Sequence, residues 1–227
     1  MTTLKHESMD EKYEEVAGAI STLKRHGLNI NLNEALKNQL DPHILFDGDD
    51  GLFKKLVPQA SHYFEYGCGK STEWTYHNTD AQIRSVDTSQ EWALKTQRVS
   101  EGKKGDRLQI KWVDVGAVGN WGTPVSYQNR ENFTEYTDWF WSMSDKPDLV
   151  VVDGRFRVCC FLTSVKHAEV GTPILFDDYA HRTLYHIVEE FLPVLDRCGR
   201  QALFEVSKDA KKQITDDLIE HFRYVID

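Results

Sequence analysis

From residue 61 onward, short β-branched and aromatic runs alternate with segments of helical texture, and this alternation constrains the fold more than any other feature. SHYFEYG (61–67), AQIRSVD (81–87), LQIKWVD (108–114), DLVVVD (148–153) and TPILFDD (172–178) read as strands. KSTEWTYHN, SQEWALKTQRVSE and RVCCFLTSVKHAEV between them suit helices. RTLYHIVEEFLPVLDRC (182–198) reads as a helix, QALFEVS (201–207) as a strand, AKKQITDDLIEHF (210–222) as a helix and RYVID (223–227) as a strand. The central runs, LVVVD above all, are continuously apolar, as strands covered on both faces should be. Strand–helix alternation of this kind predicts an α/β domain with a doubly wound, mostly parallel seven-stranded sheet.

Residues 1–58 have a different texture. Val16, Ala19, Ile20 and Leu23 lie at helical spacing, Leu32, Leu36 and Leu40 repeat every four residues, and Gly27 suits a helix stop. The expected organisation is therefore a helical extension over 1–58, serving as a lid or an oligomer contact, and the sheet domain over 59–227. The formal net charge of −9 argues against a nucleic-acid footprint, which needs a basic face. No apolar run approaches the ~20 residues of a membrane helix, and the polar start MTTLKHESMDEKYEE is not a signal peptide. Cys68, Cys159, Cys160 and Cys198 lack metal-finger spacing, so free thiols in a reducing cytoplasm are expected.

Five strands end in, or lead into, acidic or glycine-rich residues: Glu65-Tyr66-Gly67, Asp87, Asp114, Asp153 and Asp177-Asp178. One such aspartate is ordinarily a helix cap. Five along one edge fit a ligand cleft, because open α/β sheets bind ligands beyond the carboxyl ends of their strands. The segment Glu65-Tyr66-Gly67-Cys68-Gly69-Lys70-Ser71-Thr72 is a strand, a glycine-rich turn and a helix start. A nicotinamide fingerprint would need a third glycine where Thr72 stands. A P-loop would need a first glycine where Phe64 stands. Asp87 follows Glu65 by 22 residues, suited to accepting hydrogen bonds from ribose hydroxyls.

VVVDGRFR followed by PILFDDY brings Asp153, Asp177 and Asp178 to neighbouring strand ends, about 4.8 Å apart if the strands pair. Three such carboxylates repel one another unless something positive lies between them, and hard divalent cations such as Mg²⁺ take oxygen ligands of this kind. The competing readings are helix caps, or pairs with Arg155 or Arg157.

E-x-G-x-G-x-S resembles the first motif of class I S-adenosylmethionine-dependent methyltransferases, which share a Rossmann-like sheet. The order Asp153-Gly154, then Asp177-Asp178-Tyr179, is similar to the metal-dependent O-methyltransferases of the catechol and macrolide-sugar kinds. The resemblance covers roughly residues 61–227. It implies S-adenosylmethionine held by Glu65, Gly67, Cys68, Gly69, Ser71, Asp87, Asp114 and Asp153, with Asp114 near the adenine. It also implies a divalent cation, Mg²⁺ or another, on Asp153, Asp177 and Asp178, and a hydroxyl acceptor on a small molecule or glycan. Those enzymes place a Lys or Asp base shortly after the strand-four aspartate, where this chain has Arg155 and Phe156. Arginine is no base at neutral pH, so Asp153, Arg155 and His181 are the candidate catalytic residues, with His181 as the alternative proton acceptor. Aromatic residues crowd the long segment 116–146, among them Trp121, Tyr127, Phe133, Tyr136, Trp139, Phe140 and Trp141. They suit either a sugar or planar acceptor or a helix over 133–143 packed on the sheet. A nicotinamide-dependent oxidoreductase and a non-catalytic S-adenosylmethionine-binding module remain open at this level.

Overall fold

The computed structural model describes residues 45–46, 49–102 and 107–227. The helices expected within 1–44 lie outside these residues. The compact unit around the sheet runs from Asp49 to Asp227, so it begins ten residues earlier than the sequence reading placed it. The reason is α1 (Gly51–Leu56). Its Phe53 is fully buried and packs edge-on against Tyr63 and Trp74, with ring centroids 6.2 and 5.8 Å apart.

Seven strands form one sheet in the order β3-β2-β1-β4-β5-β7-β6. They are β1 (His62–Tyr66), β2 (Gln82–Asp87), β3 (Leu108–Trp112), β4 (Leu149–Val152), β5 (Pro173–Phe176), β6 (Asp196–Cys198) and β7 (Gln201–Glu205). The first five are parallel, while β7 runs antiparallel to both β5 and β6. All four residues of β4 are buried, as continuous apolarity requires of a central parallel strand. The helices are α2 (Lys70–Asn78), α3 (Gln90–Gln97), α4 (Phe133–Asp138), α5 (Arg157–His167), α6 (Lys208–Gln213) and α7 (Asp216–Arg223). Strands are laid down β1 to β3 in one direction and β4 to β5 in the other. Right-handed crossovers then put α2 and α3 on one face, and α4 and α5 on the opposite one. The reversal between β1 and β4 opens a crevice at their carboxyl ends.

Some elements depart from the sequence pattern. Residues 210–222, read as one helix, form α6 and α7, parted where Ile214 turns extended and the Thr215 hydroxyl caps the second helix. Residues 182–198 do not form one α-helix. A 3-10 segment, Thr183–Glu190, gives way near Pro193, which has no N–H to continue a helix, to the short edge strand β6. β6 and β7 close a hairpin through Gly199-Arg200. The tail 223–227 is not a strand either. The Arg223 guanidinium reaches Thr137 Oγ1 and Asp138, and the Tyr224 carbonyl accepts from the Tyr127 hydroxyl, so side chains hold the tail against segment 116–138 instead of the sheet. The helix expected over 133–143 is an α-helix to Asp138 that tightens into a 3-10 turn over Trp139–Ser142, and Phe133, Tyr136 and Phe140 on it are buried.

Candidate active site

The glycine turn after β1 is shaped by contacts within the protein as well as by open space. Gly67 has φ +88°, and a Cβ there would lie 2.8 Å from Gly154 Cα, so the turns after β1 and β4 meet backbone to backbone. Gly69, at the start of α2, has nothing within 4 Å of the Cβ position, leaving open space beside free helix N–H groups. The Cys68 N–H donates to Asp87 Oδ2 at 2.8 Å and the Ser89 N–H to Oδ1 at 2.6 Å. Each Asp87 oxygen has a further lone pair available for a hydroxyl. Burial raises the Asp87 pKa and the two N–H groups oppose that rise.

Glu65 and Ser71 turn inward. The fully buried Glu65 carboxylate accepts from the Ser71 and Thr72 hydroxyls. Burial pushes its pKa up to about 7 against those two hydrogen bonds. These side chains brace the turn from beneath, whereas the sequence reading had them touching a ligand directly. Thr72 also accepts the Gly69 N–H at 3.0 Å, which explains a threonine where a dinucleotide fingerprint has its third glycine. Asp114 is exposed and caps its own turn, with Oδ1 accepting the Gly116 N–H at 3.0 Å.

Asp153, Asp177 and Asp178 converge as the spacing predicts, each offering an oxygen within 4.8 Å of the others. Three guanidinium groups converge with them. Arg157 Nη2 lies 3.2 Å from Asp153 Oδ1 and 3.1 Å from Asp178 Oδ2. Arg182 Nη2 lies 2.8 Å from Asp178 Oδ2. Arg200 Nη1 lies 3.1 Å from Asp178 Oδ1, while its Nε donates to Asp177 Oδ1 at 3.1 Å. Its Nη2 approaches Asp177 Oδ2 to 2.6 Å, a close ionic contact without hydrogen-bond alignment. Asp178 sits at φ +59° and Phe156 at φ +54°, left-handed conformations that cost a non-glycine residue about 1 kcal/mol or more. Burial and the neighbouring Asp177 push the Asp153 carboxyl up, and Arg157 pulls it back.

A divalent cation does not fit this donor set, because guanidinium groups already hold the carboxylate oxygens an ion would take. Arg182 and Arg200 escaped the sequence reading. Both flank or lie in the stretch taken as a long helix, so nothing local brought them to β5. Arg155 is buried and braced, with its N–H on Tyr136 Oη at 3.0 Å and Nη1 on Thr123 Oγ1 and the Asp227 carbonyl at 3.1 and 2.6 Å. Among the described residues it makes no ion pair or hydrogen bond to the three aspartate side chains. His181 is exposed and makes no hydrogen bond to the acidic group among the described residues. Trp121 is 83% exposed at φ +58°, and Tyr127 is half exposed.

No family model and no curated protein matches the chain. Among solved structures it is similar to a methyltransferase-like protein from Silicibacter pomeroyi DSS-3, at 30% identity and TM-score 0.63, covering 76% of this chain and 92% of that one. More distant likenesses are the N-methyltransferase NodS from Bradyrhizobium japonicum WM9 and an O-methyltransferase from Bacillus cereus, both in complex with S-adenosylhomocysteine. The first is 16% identical (TM-score 0.45), with 83% of this chain and 98% of that one covered. The second is 14% identical (TM-score 0.45), with 88% and 92% covered. Among the described residues no helix is long and apolar enough to cross a membrane.

Proposed function

The chain belongs to the class I S-adenosylmethionine-dependent methyltransferases, and on that premise we propose that it methylates a hydroxyl of a small molecule or glycan. The observation that carries this reading is Asp153. Its Oδ2 is the one oxygen of the acidic group that no guanidinium pairs with among the described residues, and about a quarter of its side chain is open to solvent. It stands at the end of β4, against the glycine turn of β1.

S-adenosylmethionine supplies a methyl group already activated by its sulfonium. The protein's task is therefore alignment and removal of one proton. Asp87, with lone pairs left on both oxygens, would accept the ribose hydroxyls, and the open side of Gly69 would admit the chain of atoms beside it. Asp153 Oδ2 would take the acceptor's hydroxyl proton as the new oxygen–carbon bond forms and the sulfur–methyl bond breaks, with S-adenosylhomocysteine as the leaving group. A carboxyl pushed upward by burial is the better base for that step. Arg157 fixes the other oxygen of Asp153 and so orients the free one. Trp121 and Tyr127, both exposed, would offer aromatic faces to an acceptor ring.

The test has two parts. S-adenosylhomocysteine should raise the unfolding midpoint by several degrees while NAD leaves it unmoved. Radiolabelled methyl from S-adenosylmethionine should then appear on a panel of phenols and sugars, and Asp153→Asn should lose the transfer while keeping donor binding. Transfer at full rate in Asp153→Asn removes this residue as the base, and transfer only to amines removes the hydroxyl reading.

A further inference from the structure

We infer that the acidic group at the ends of β4 and β5 is an ion-pair cage that takes no divalent cation, with the Arg157 guanidinium standing where a bridging ion would have to sit. The inference concerns the charge of this group and holds whatever the acceptor proves to be.

Three carboxylates face three guanidinium groups, so the formal charges of Asp153, Asp177, Asp178, Arg157, Arg182 and Arg200 cancel. Five of the six carboxylate oxygens lie within ion-pair distance of a guanidinium nitrogen. A hard cation needs several such oxygens at about 2.0–2.6 Å, and its charge would oppose arginines already on those oxygens. Nη2 of Arg157 is in contact with both Asp153 and Asp178, which makes it the link between the two strand ends.

Arg157 has no easy way out. Its side chain is 3% exposed. Nε donates to the Gly154 carbonyl at 2.8 Å, Nη1 to the Asp177 carbonyl at 2.7 Å and Nη2 to the Asp153 carbonyl at 3.1 Å. The ring of Tyr185 lies near both it and Arg182, each guanidinium carbon 5.8 Å from the ring centre. An incoming ion would have to expel a buried charge and leave three buried carbonyls unpaired, a cost that a net-neutral group gives it no reason to meet.

The experiment uses the full chain. Manganese binding is read from loss of the free-ion paramagnetic resonance signal, and stability from thermal unfolding in EDTA against millimolar MgCl₂, MnCl₂ or CaCl₂. The expected result is a free-ion signal unchanged by protein and no cation-dependent shift. A cation at a hundred times its Kd would raise the midpoint by roughly 5–10 °C. Such a shift, or stoichiometric manganese binding abolished in Asp178→Asn, overturns the inference. Arg157→Gln removes the guanidinium that bridges Asp153 and Asp178 and should create manganese affinity where there was none. Should that chain fail to fold, the double variant Arg182→Gln with Arg200→Gln serves, since it strips the guanidinium groups from Asp177 and from Asp178 Oδ1. A folded variant that still ignores manganese shows that arginine is not what excludes the ion, and overturns the inference as well. S-adenosylhomocysteine in the same assay separates the two readings. A chain that ignores metals and responds to the nucleoside keeps both, and one that responds to neither loses methyl transfer while the cage stands.

Discussion

Two sets of carboxylates share one edge of the sheet, and their partners differ. At the ends of β1 and β2, Glu65 and Asp87 are held by hydroxyls and backbone N–H groups, neutral donors that bring no opposing charge. At the ends of β4 and β5, Asp153, Asp177 and Asp178 are held by arginines that cancel it. Neutral donors fix a carboxylate while leaving it able to accept more hydrogen bonds. Guanidinium groups fix it by removing both its charge and its free lone pairs. One edge can thus hold a hydroxyl-bearing ligand at one end and be closed to ions at the other.

The sharpest way to break this contrast is to remove the central cation. Arg157→Met should destabilise the protein by about 3–5 kcal/mol in urea unfolding, since three carboxylates then crowd together with one less positive group. A loss under 1 kcal/mol would mean that water already screens these charges, and the two halves of the edge would differ less than their geometry implies.

Glu65 tests the other half through pH. Its folded pKa, about 7, lies above the ordinary glutamate value of about 4.5, so folding favours the protonated form. The stability it contributes is fully present below about pH 4.5 and is lost as pH rises through 7, a slope of up to about 3 kcal/mol in all. Glu65→Gln should flatten the dependence of unfolding free energy on pH between 5 and 8. A variant with the wild-type slope would assign that titration to another group.

Asp87 links stability to ligand. Asp87→Ala removes the acceptor for the Cys68 and Ser89 N–H groups and, on the proposed reading, for the ribose hydroxyls as well. S-adenosylhomocysteine affinity by calorimetry should fall by about 100-fold, the equivalent of one or two hydrogen bonds to a charged group. An unchanged affinity would place the donor elsewhere on the edge.

The legibility of these features in the sequence follows their range. β1 to β5 and the helices between them carry local periodicity, so their order and type could be read from LVVVD or KSTEWTYHN alone. Convergence of Asp153 with Asp177 and Asp178 was legible because parallel neighbours at strand ends must meet. The arginines were not. Arg200 arrives through a hairpin turn whose first strand, Asp196–Cys198, is too short and polar to announce itself. Apolar residues from Leu184 to Leu195 imitate a helix, and only Pro193 hinted otherwise. The tail 223–227 misled in the same way, because Val225 and Ile226 look like a strand while side-chain contacts with a distant segment decide where they lie. The inward turn of Glu65 was hidden for a related reason. An acid beside a glycine loop reads as a ligand contact until the hydroxyls of Ser71 and Thr72 are seen beneath it.

The smallest effect belongs to Asp114, which tests whether the donor half of the edge extends to β3. Its carboxylate is exposed, and Oδ1 accepts only the Gly116 N–H two residues on. Asp114→Ala should therefore cost about 0.5–1 kcal/mol of stability, as loss of a local cap does. Its carbonyl is anchored by Asn132 Nδ2 at 2.8 Å, so the turn itself should persist in the variant and any change in ligand binding reports on the side chain. If Asp114 lies beside the adenine, S-adenosylhomocysteine affinity should fall by about 3- to 10-fold, the value of one exposed hydrogen bond. Adenosine alone should lose the same factor, since it carries the base but not the amino-acid end. A drop for S-adenosylhomocysteine with none for adenosine would instead put Asp114 against the amino-acid end, and would reverse the direction in which the donor lies along the edge from β1 to β3.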